Sequence, residues 1–139
     1  MTGLLVDANV LSEMSRPQPE PSVVSFLARN EDLWLSVIVL HELEFGIQRL
    51  EAGGQRERYQ SSLWDYVARY TDRILPVGRA EAVLAAEMRA RIARAGRVVH
   101  LADALIAGTA KANDLAVATR NVRDFDGLDV DVVNPWEPA

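Results

Sequence analysis

Cysteine is absent from this 139-residue sequence, so a disulfide framework, a thiolate metal site and a cysteine nucleophile are all excluded. The absence fits a reducing cytoplasm, which is the expected location. No apolar run approaches the roughly 20 residues that a membrane helix needs, and no basic segment leads into an apolar stretch with a cleavage site. The expectation is a protein that is neither embedded in a membrane nor exported. Internal repeats and low-complexity tracts are missing as well. So are the runs G-x-G-x-x-G and G-x-x-x-x-G-K-S/T, which removes the usual dinucleotide and nucleoside triphosphate readings.

Positive charge is scarce too. The formal net charge of −5 argues against tight nonspecific nucleic-acid binding, because such binding is driven by phosphate neutralisation and counterion release. Net charge is a blunt measure, however. All 15 basic residues but Lys111 are arginine, and Arg89, Arg91, Arg94 and Arg97 cluster. Arginine suits bidentate contact with phosphate or carboxylate, so this stretch either faces RNA or an acidic partner, or is a solvated helix face.

Hydrophobic residues make up 49% of the chain, a composition that suits one domain, residues 1–139, around a single core. The runs "GLLVDA", "LWLSVIV" and "LAVAT" have the length of buried strands. "RILPV", where Pro76 limits pairing, and "VDVVN" are weaker candidates. Helical patterns lie between them. One begins after Pro21 with Ser22 as its cap and carries Val23, Phe26 and Leu27 on one face. A second repeats Leu40, Leu43, Ile47 and Leu50 and is expected to end at Gly53-Gly54. Further helices cover "RERYQSSLWDYVARY", "AEAVLAAEMRARIARAG" and "LADALIAGTAKAN", the last so poor in exposed charge that it should lie inside the fold. Apolar strands alternating with helices predict an α/β sandwich with a mostly parallel sheet. Ligands of such sheets gather outside the carboxyl ends of the strands.

Acids stand where that geometry matters. Asp7 closes the first strand, Glu42 follows the second, Asp103 comes early in the apolar helix, and Asp124 follows "ATRN". Taken singly, each has a plain structural use as a helix cap, a dipole partner or a turn former. Together they are harder to dismiss, since Asp7, Glu42 and Asp124 should project from one edge of the sheet and Asp103 can join them. Clustered carboxylates repel and raise one another's pKa unless a cation neutralises them. Oxygen ligands of this kind favour Mg²⁺, with Mn²⁺ able to substitute. The chemistry supported is phosphodiester hydrolysis by a metal-activated water.

As a set, "LLVDANV", "HELEFG", "LADALIAGTA", "ATRNVRDF" and "VVNPWE" resemble the PIN-domain ribonucleases, in particular the VapC-type toxins of bacterial toxin–antitoxin pairs. The likeness runs from about residue 4 to Trp136 in order and at compatible spacing. It implies a PIN-like three-layer α/β/α sandwich, an acidic Mg²⁺ pocket, endonucleolytic cleavage of RNA, a homodimer, and inhibition by a cognate antitoxin in a larger hetero-oligomer. By the same likeness Asp7 and Asp103 match the principal metal carboxylates, and Glu42 the acid that helps hold the ion or its water. Asn9 matches a residue orienting the first aspartate, and Thr119 a hydroxyl at the pocket edge. Many relatives carry an acid where this chain has Asn121, and the nearest carboxylate here is Asp124; one well-bound ion is therefore expected. Arg120 is a candidate for holding the RNA backbone.

Other signals weigh less. "HELEF" lacks the second histidine of a zinc helix, since Phe45 occupies its place. His41 is then structural or at the pocket edge, and His100, three residues before Asp103, is a candidate proton carrier. Asn9 stands where aspartyl phosphatases need a second aspartate, which disfavours covalent catalysis. Trp34, Trp64 and Trp136 are expected to fill a core or a subunit contact rather than stack on RNA bases. Tyr59, Leu63, Tyr66 and Tyr70 make a stripe suited to a second subunit or an amphipathic antitoxin helix. The rival to a nuclease toxin is a weakly active or vestigial binding module that, with an antitoxin, joins a DNA-bound repressor complex. The negative charge means that the antitoxin would supply its basic element.

Overall fold

A computed structural model describes residues 2–137. Its centre is a parallel sheet of five strands, β1 (Leu4–Val6), β2 (Leu33–Ser36), β3 (Ile74–Leu75), β4 (Ala116–Ala118) and β5 (Val132–Val133). Their order is β3-β2-β1-β4-β5, with every pairing parallel. Side chains of a strand alternate between the two faces, yet Leu4, Leu5 and Val6 are all buried, as are Ala116, Val117 and Ala118. Both faces of the central strands are therefore covered, the arrangement that all-parallel sheets require. The helices α1 (Ala8–Met14), α2 (Pro21–Arg29), α3 (Val37–Gln48), α4 (Gly54–Arg69), α5 (Arg79–Arg94) and α6 (Leu101–Ala112) provide the cover. This is the expected α/β sandwich with its parallel sheet.

The chain leaves β1 toward β2 and β3 on one side, then returns to lay β4 on the other. Between β1 and β4 lies the switch point where open α/β sheets form a crevice. The register pairs Val6 with Ala118, so the two strands end level. The Asp7 N–H donates to the Ala118 carbonyl at 2.9 Å, which sets Asp7 beside Thr119.

Some local readings are corrected. "LWLSVIV" is strand only through Ser36; its last three residues open α3. The Ser36 hydroxyl accepts the Ile38 N–H at 3.0 Å, capping the helix and ending the strand. Val39 is fully buried from a helix here, and a short apolar run does not distinguish the two geometries. Helix α3 stops at Gln48, short of Gly53-Gly54, because its last turn tightens: the Leu50 N–H donates to the Ile47 carbonyl at 3.0 Å. Gly53, at φ 153°, instead precedes α4. Helix α2 starts at Pro21, whose missing N–H is harmless in a first turn. Ser22 does not cap it; its hydroxyl donates to the Trp136 carbonyl at 3.3 Å.

Helix α6 lies inside, as its composition foretold: Ala104, Ile106, Ala107, Gly108, Thr109 and Ala110 are buried. Helix α5 packs on it closely enough that a Cβ at Gly108 would stand 2.5 Å from the Glu81 carbonyl oxygen and 2.9 Å from the Ala85 nitrogen. Glycine here permits helix contact that any side chain would block. Trp34 and Trp136 pack in part against the core, but Trp64 is 65% exposed and fills none of it.

Candidate active site

Four carboxylates meet at the switch point. Asp7 caps α1 where β1 ends, Glu42 comes from α3, Asp103 from the first turn of α6, and Asp124 from a short 3₁₀ helix, Val122–Phe125. Together with Asn9, His100 and Asn121 they line one pocket of about 450 Å³. Local sequence explains each position. The strand end fixes Asp7, the Ser36 cap starts the helix that brings Glu42 inward, and the 3₁₀ turn after Asn121 carries Asp124 over the same mouth.

Asp7 is the best-held acid. Its Oδ1 accepts the Ala8 N–H at 2.8 Å, and its Oδ2 accepts the Thr119 hydroxyl at 2.7 Å and Asn9 Nδ2 at 3.3 Å. Asn9 Nδ2 also reaches Thr119 Oγ1 at 3.2 Å, while its Oδ1 accepts the Arg120 N–H at 3.2 Å. The Asn121 N–H donates to Thr119 Oγ1 at 3.1 Å. Thr119, expected at the pocket edge, is instead wholly buried, because its hydroxyl is spent on Asp7. Asn121 and Asp124 both line the pocket.

Electrostatic strain runs through the group. Burial pushes Glu42 up to about 7, with the charges of Asp7 and Asp103 adding to it. Asp103 is raised to about 6, chiefly by burial, then by Asp124 and Asp7, with His100 acting in the opposite sense. Burial also raises Asp7 despite the hydrogen bonds from Thr119, Ala8 and Asn9. Glu42 Oε1 is buried without a hydrogen-bond partner among the described residues. A buried acceptor left open is costly, so such an atom points to a ligand.

The donor set suits a hard divalent cation. Among the described residues no three histidine or acidic side chains converge closely enough to enclose an ion by themselves. Mg²⁺ does not ask for that: it is held by one or two carboxylates and keeps several waters.

Beside the pocket runs a groove of about 700 Å³ between α1, α3 and α4. Leu43, Ile47 and Leu50 face Tyr59, Leu63 and Tyr66 across it, and Ala8, Asn9 and Glu42 belong to both groove and pocket. Three of the four stripe residues on the third predicted helix thus line a concave surface; Tyr70 packs toward the core instead.

A family model described as PIN domain matches residues 4–130. The chain belongs to the PIN domain family. "VapC ribonuclease Y4jK" of Sinorhizobium fredii is 34% identical over 139 residues, 98% of this chain and 99% of the relative. "Toxin FitB" of Neisseria gonorrhoeae is 38% identical over 139 residues, 96% and 98% of the two chains. A solved structure of FitAB bound to an IR36 DNA fragment superposes with a TM-score of 0.89 at 34% identity, across 98% of this chain and 97% of that one.

In this PIN domain His41 lies outside the carboxylate pocket, exposed on α3 with its ring stacked on Phe45 at 6.2 Å. His100 is at the pocket lining. Arg120 lines the groove, its guanidinium over the Trp136 ring at 5.1 Å. Arg89, Arg91, Arg94 and Arg97 are exposed on or just beyond α5, away from the pocket lining, and Arg97 donates to the Asp126 carbonyl at 2.9 Å. No helix among the described residues is long and apolar enough to cross a membrane. Glu13 and Arg16 escaped the sequence reading. Their only signal was an acid and a base three residues apart, a spacing common on any solvated helix.

Proposed function

We propose that this chain is a divalent-metal-dependent endoribonuclease, the toxin of a bacterial toxin–antitoxin pair, acting in the cytoplasm. The observation that carries the reading is the meeting of Asp7, Glu42, Asp103 and Asp124, from four separate elements, in one pocket at the β1/β4 crevice. The names of the relatives, a VapC ribonuclease and a toxin, support it.

Asp7 and Asp103 are the residues that would hold Mg²⁺, or Mn²⁺ in its stead, Glu42 would hold the ion's water, and Asn9 and Thr119 keep Asp7 oriented toward the ion. A bound divalent ion supplies Lewis-acid stabilisation of charge on the phosphate and makes water a stronger acid. Glu42 Oε1, buried and unpartnered among the described residues, is the atom suited to take a proton from the attacking water. Asp124, exposed at the mouth, orients that water. Arg120 meets the RNA backbone at the groove side.

The apolar groove suits an amphipathic helix of a cognate antitoxin, and the chain assembles as a homodimer within a larger complex. Asp7→Asn or Asp103→Asn should abolish Mg²⁺-dependent RNA cleavage by the purified chain while circular dichroism shows the fold intact. Cleavage that persists in folded Asp103→Asn would refute the reading. The DNA-bound FitAB structure favours a second reading, a weakly active module that binds DNA through its antitoxin. Calorimetry with Mn²⁺ separates the two: heat of binding at micromolar to low millimolar ion supports the nuclease, and its absence supports the module.

A further inference from the structure

The groove beside the carboxylate pocket carries a charged pair, Glu13 and Arg16, that the proposed reaction leaves unused. Glu13, on α1, is only 5% exposed. Buried carboxylates need partners, and this one has them. Its Oε1 and Oε2 lie 3.1 and 3.3 Å from Arg16 Nη1, and Oε2 accepts the Glu20 N–H at 2.9 Å. Arg16 is thereby gripped through one nitrogen while its side chain stays 61% exposed. Its other guanidinium nitrogens make no hydrogen bond among the described residues.

Arg120 is held differently. Its backbone N–H is tied to Asn9 Oδ1 at 3.2 Å, and its guanidinium lies over Trp136. The backbone that carries this ring is tied down, since the Trp136 backbone N–H donates to Asn134 Oδ1 at 2.9 Å and its backbone carbonyl accepts the Ser22 hydroxyl. Among the described residues the Arg120 guanidinium makes no ion pair and no hydrogen bond. An aromatic face supports the cation without consuming its N–H groups.

Arg16 and Arg120 line the same groove, and Glu13 offsets one of their two positive charges. Two guanidinium groups with open N–H donors are left beside a pocket of four acids. The fork geometry matches the paired oxygens of a phosphodiester. An acidic peptide would match the arginines equally well; the phosphodiester is preferred because the pocket that adjoins them is read as cutting one.

We propose that Arg16 and Arg120 form a clamp for a backbone phosphate of single-stranded RNA next to the one cleaved, with Glu13 as the positioning residue that aims Arg16. The clamp rests on the ribonuclease reading and names one substrate contact within it.

The test is binding of a short fluorescent single-stranded RNA by the full chain carrying Asp103→Asn, measured over a range of salt with Mg²⁺ present. Arg16→Gln and Arg120→Gln should each weaken binding about tenfold, the loss of one charge-assisted contact. Each should also flatten the slope of log K against log salt by about 0.7. In the cleaving parent the same changes raise KM and leave kcat nearly intact. Glu13→Gln keeps an acceptor for the Glu20 N–H and removes a negative charge from the groove; the positioning role predicts weaker RNA binding all the same, with no further loss when it is combined with Arg16→Gln. Unchanged affinity and salt slope in both arginine variants, with RNA still cut by the parent, overturns the clamp alone and leaves the arginines to an acidic partner segment. A Glu13→Gln chain that folds and binds as well as its parent overturns the positioning role. A parent that neither binds nor cuts RNA removes the ribonuclease reading and the clamp with it.

Discussion

At the scale of single residues, what distinguishes this site is unequal support. Asp7 receives three donors, whereas Glu42 Oε1 receives none among the described residues. Thr119 is the hinge of that difference, because it is wholly buried and its hydroxyl reaches Asp7 at 2.7 Å. Thr119→Val keeps the shape and removes the donor. It should cost about 2 kcal/mol in urea denaturation above neutral pH, the usual range for a hydrogen bond to a charged group, and should weaken RNA cleavage. A denaturation midpoint equal to the parent's would count against the role given to Thr119. The carboxylates themselves were legible in the sequence, since each stands next to an apolar element that had to end or turn there. Glu13 was not legible: only folding buries it and brings the Glu20 N–H onto its oxygen.

At the scale of elements, the helices were easier to foresee than their ends. Periodicity and composition marked α4, α5 and α6 because their apolar positions recur over three turns or more. The β2–α3 junction was harder, since "VIV" suits either geometry and Ser36 decides between them through its hydroxyl. That junction matters for the site. Were the strand to run on through Val39, Glu42 would start a different face and miss the pocket. The α5–α6 contact is a second point of control, because α6 carries Asp103 and leans on α5 through Gly108. Gly108→Ala should force the helices apart, with a loss of about 1–3 kcal/mol for overpacking, measurable by chemical denaturation. A variant as stable as the parent would mean that α5 can shift without strain.

At the scale of the whole molecule, the sheet order gathers like charges and the fold bears the consequence. Glu42 rises from 4.5 to about 7 and Asp103 from 3.8 to about 6. Between those values the folded chain binds more protons at these groups than the unfolded chain does, so their contribution to stability falls as pH rises. The cost is complete above about pH 7 and absent below the unfolded values. Without metal, Glu42→Gln should therefore raise Tm above about pH 7 and change it little near pH 4.5. Mg²⁺ should raise the parent's Tm more at the higher pH, since protonated carboxyls are poor ligands; an equal shift at both would contradict a carboxylate site. The sequence by itself marked most of the strands and helices, the acids that interrupt them, and the absence of cysteine chemistry, because these follow from side-chain type and local period. Only the tertiary structure decided that β4 returns beside β1, that Thr119 turns inward to Asp7, and that the Ser22 hydroxyl reaches the Trp136 carbonyl. Those outcomes depend on contacts between residues more than a hundred positions apart, which local patterning along a chain does not encode.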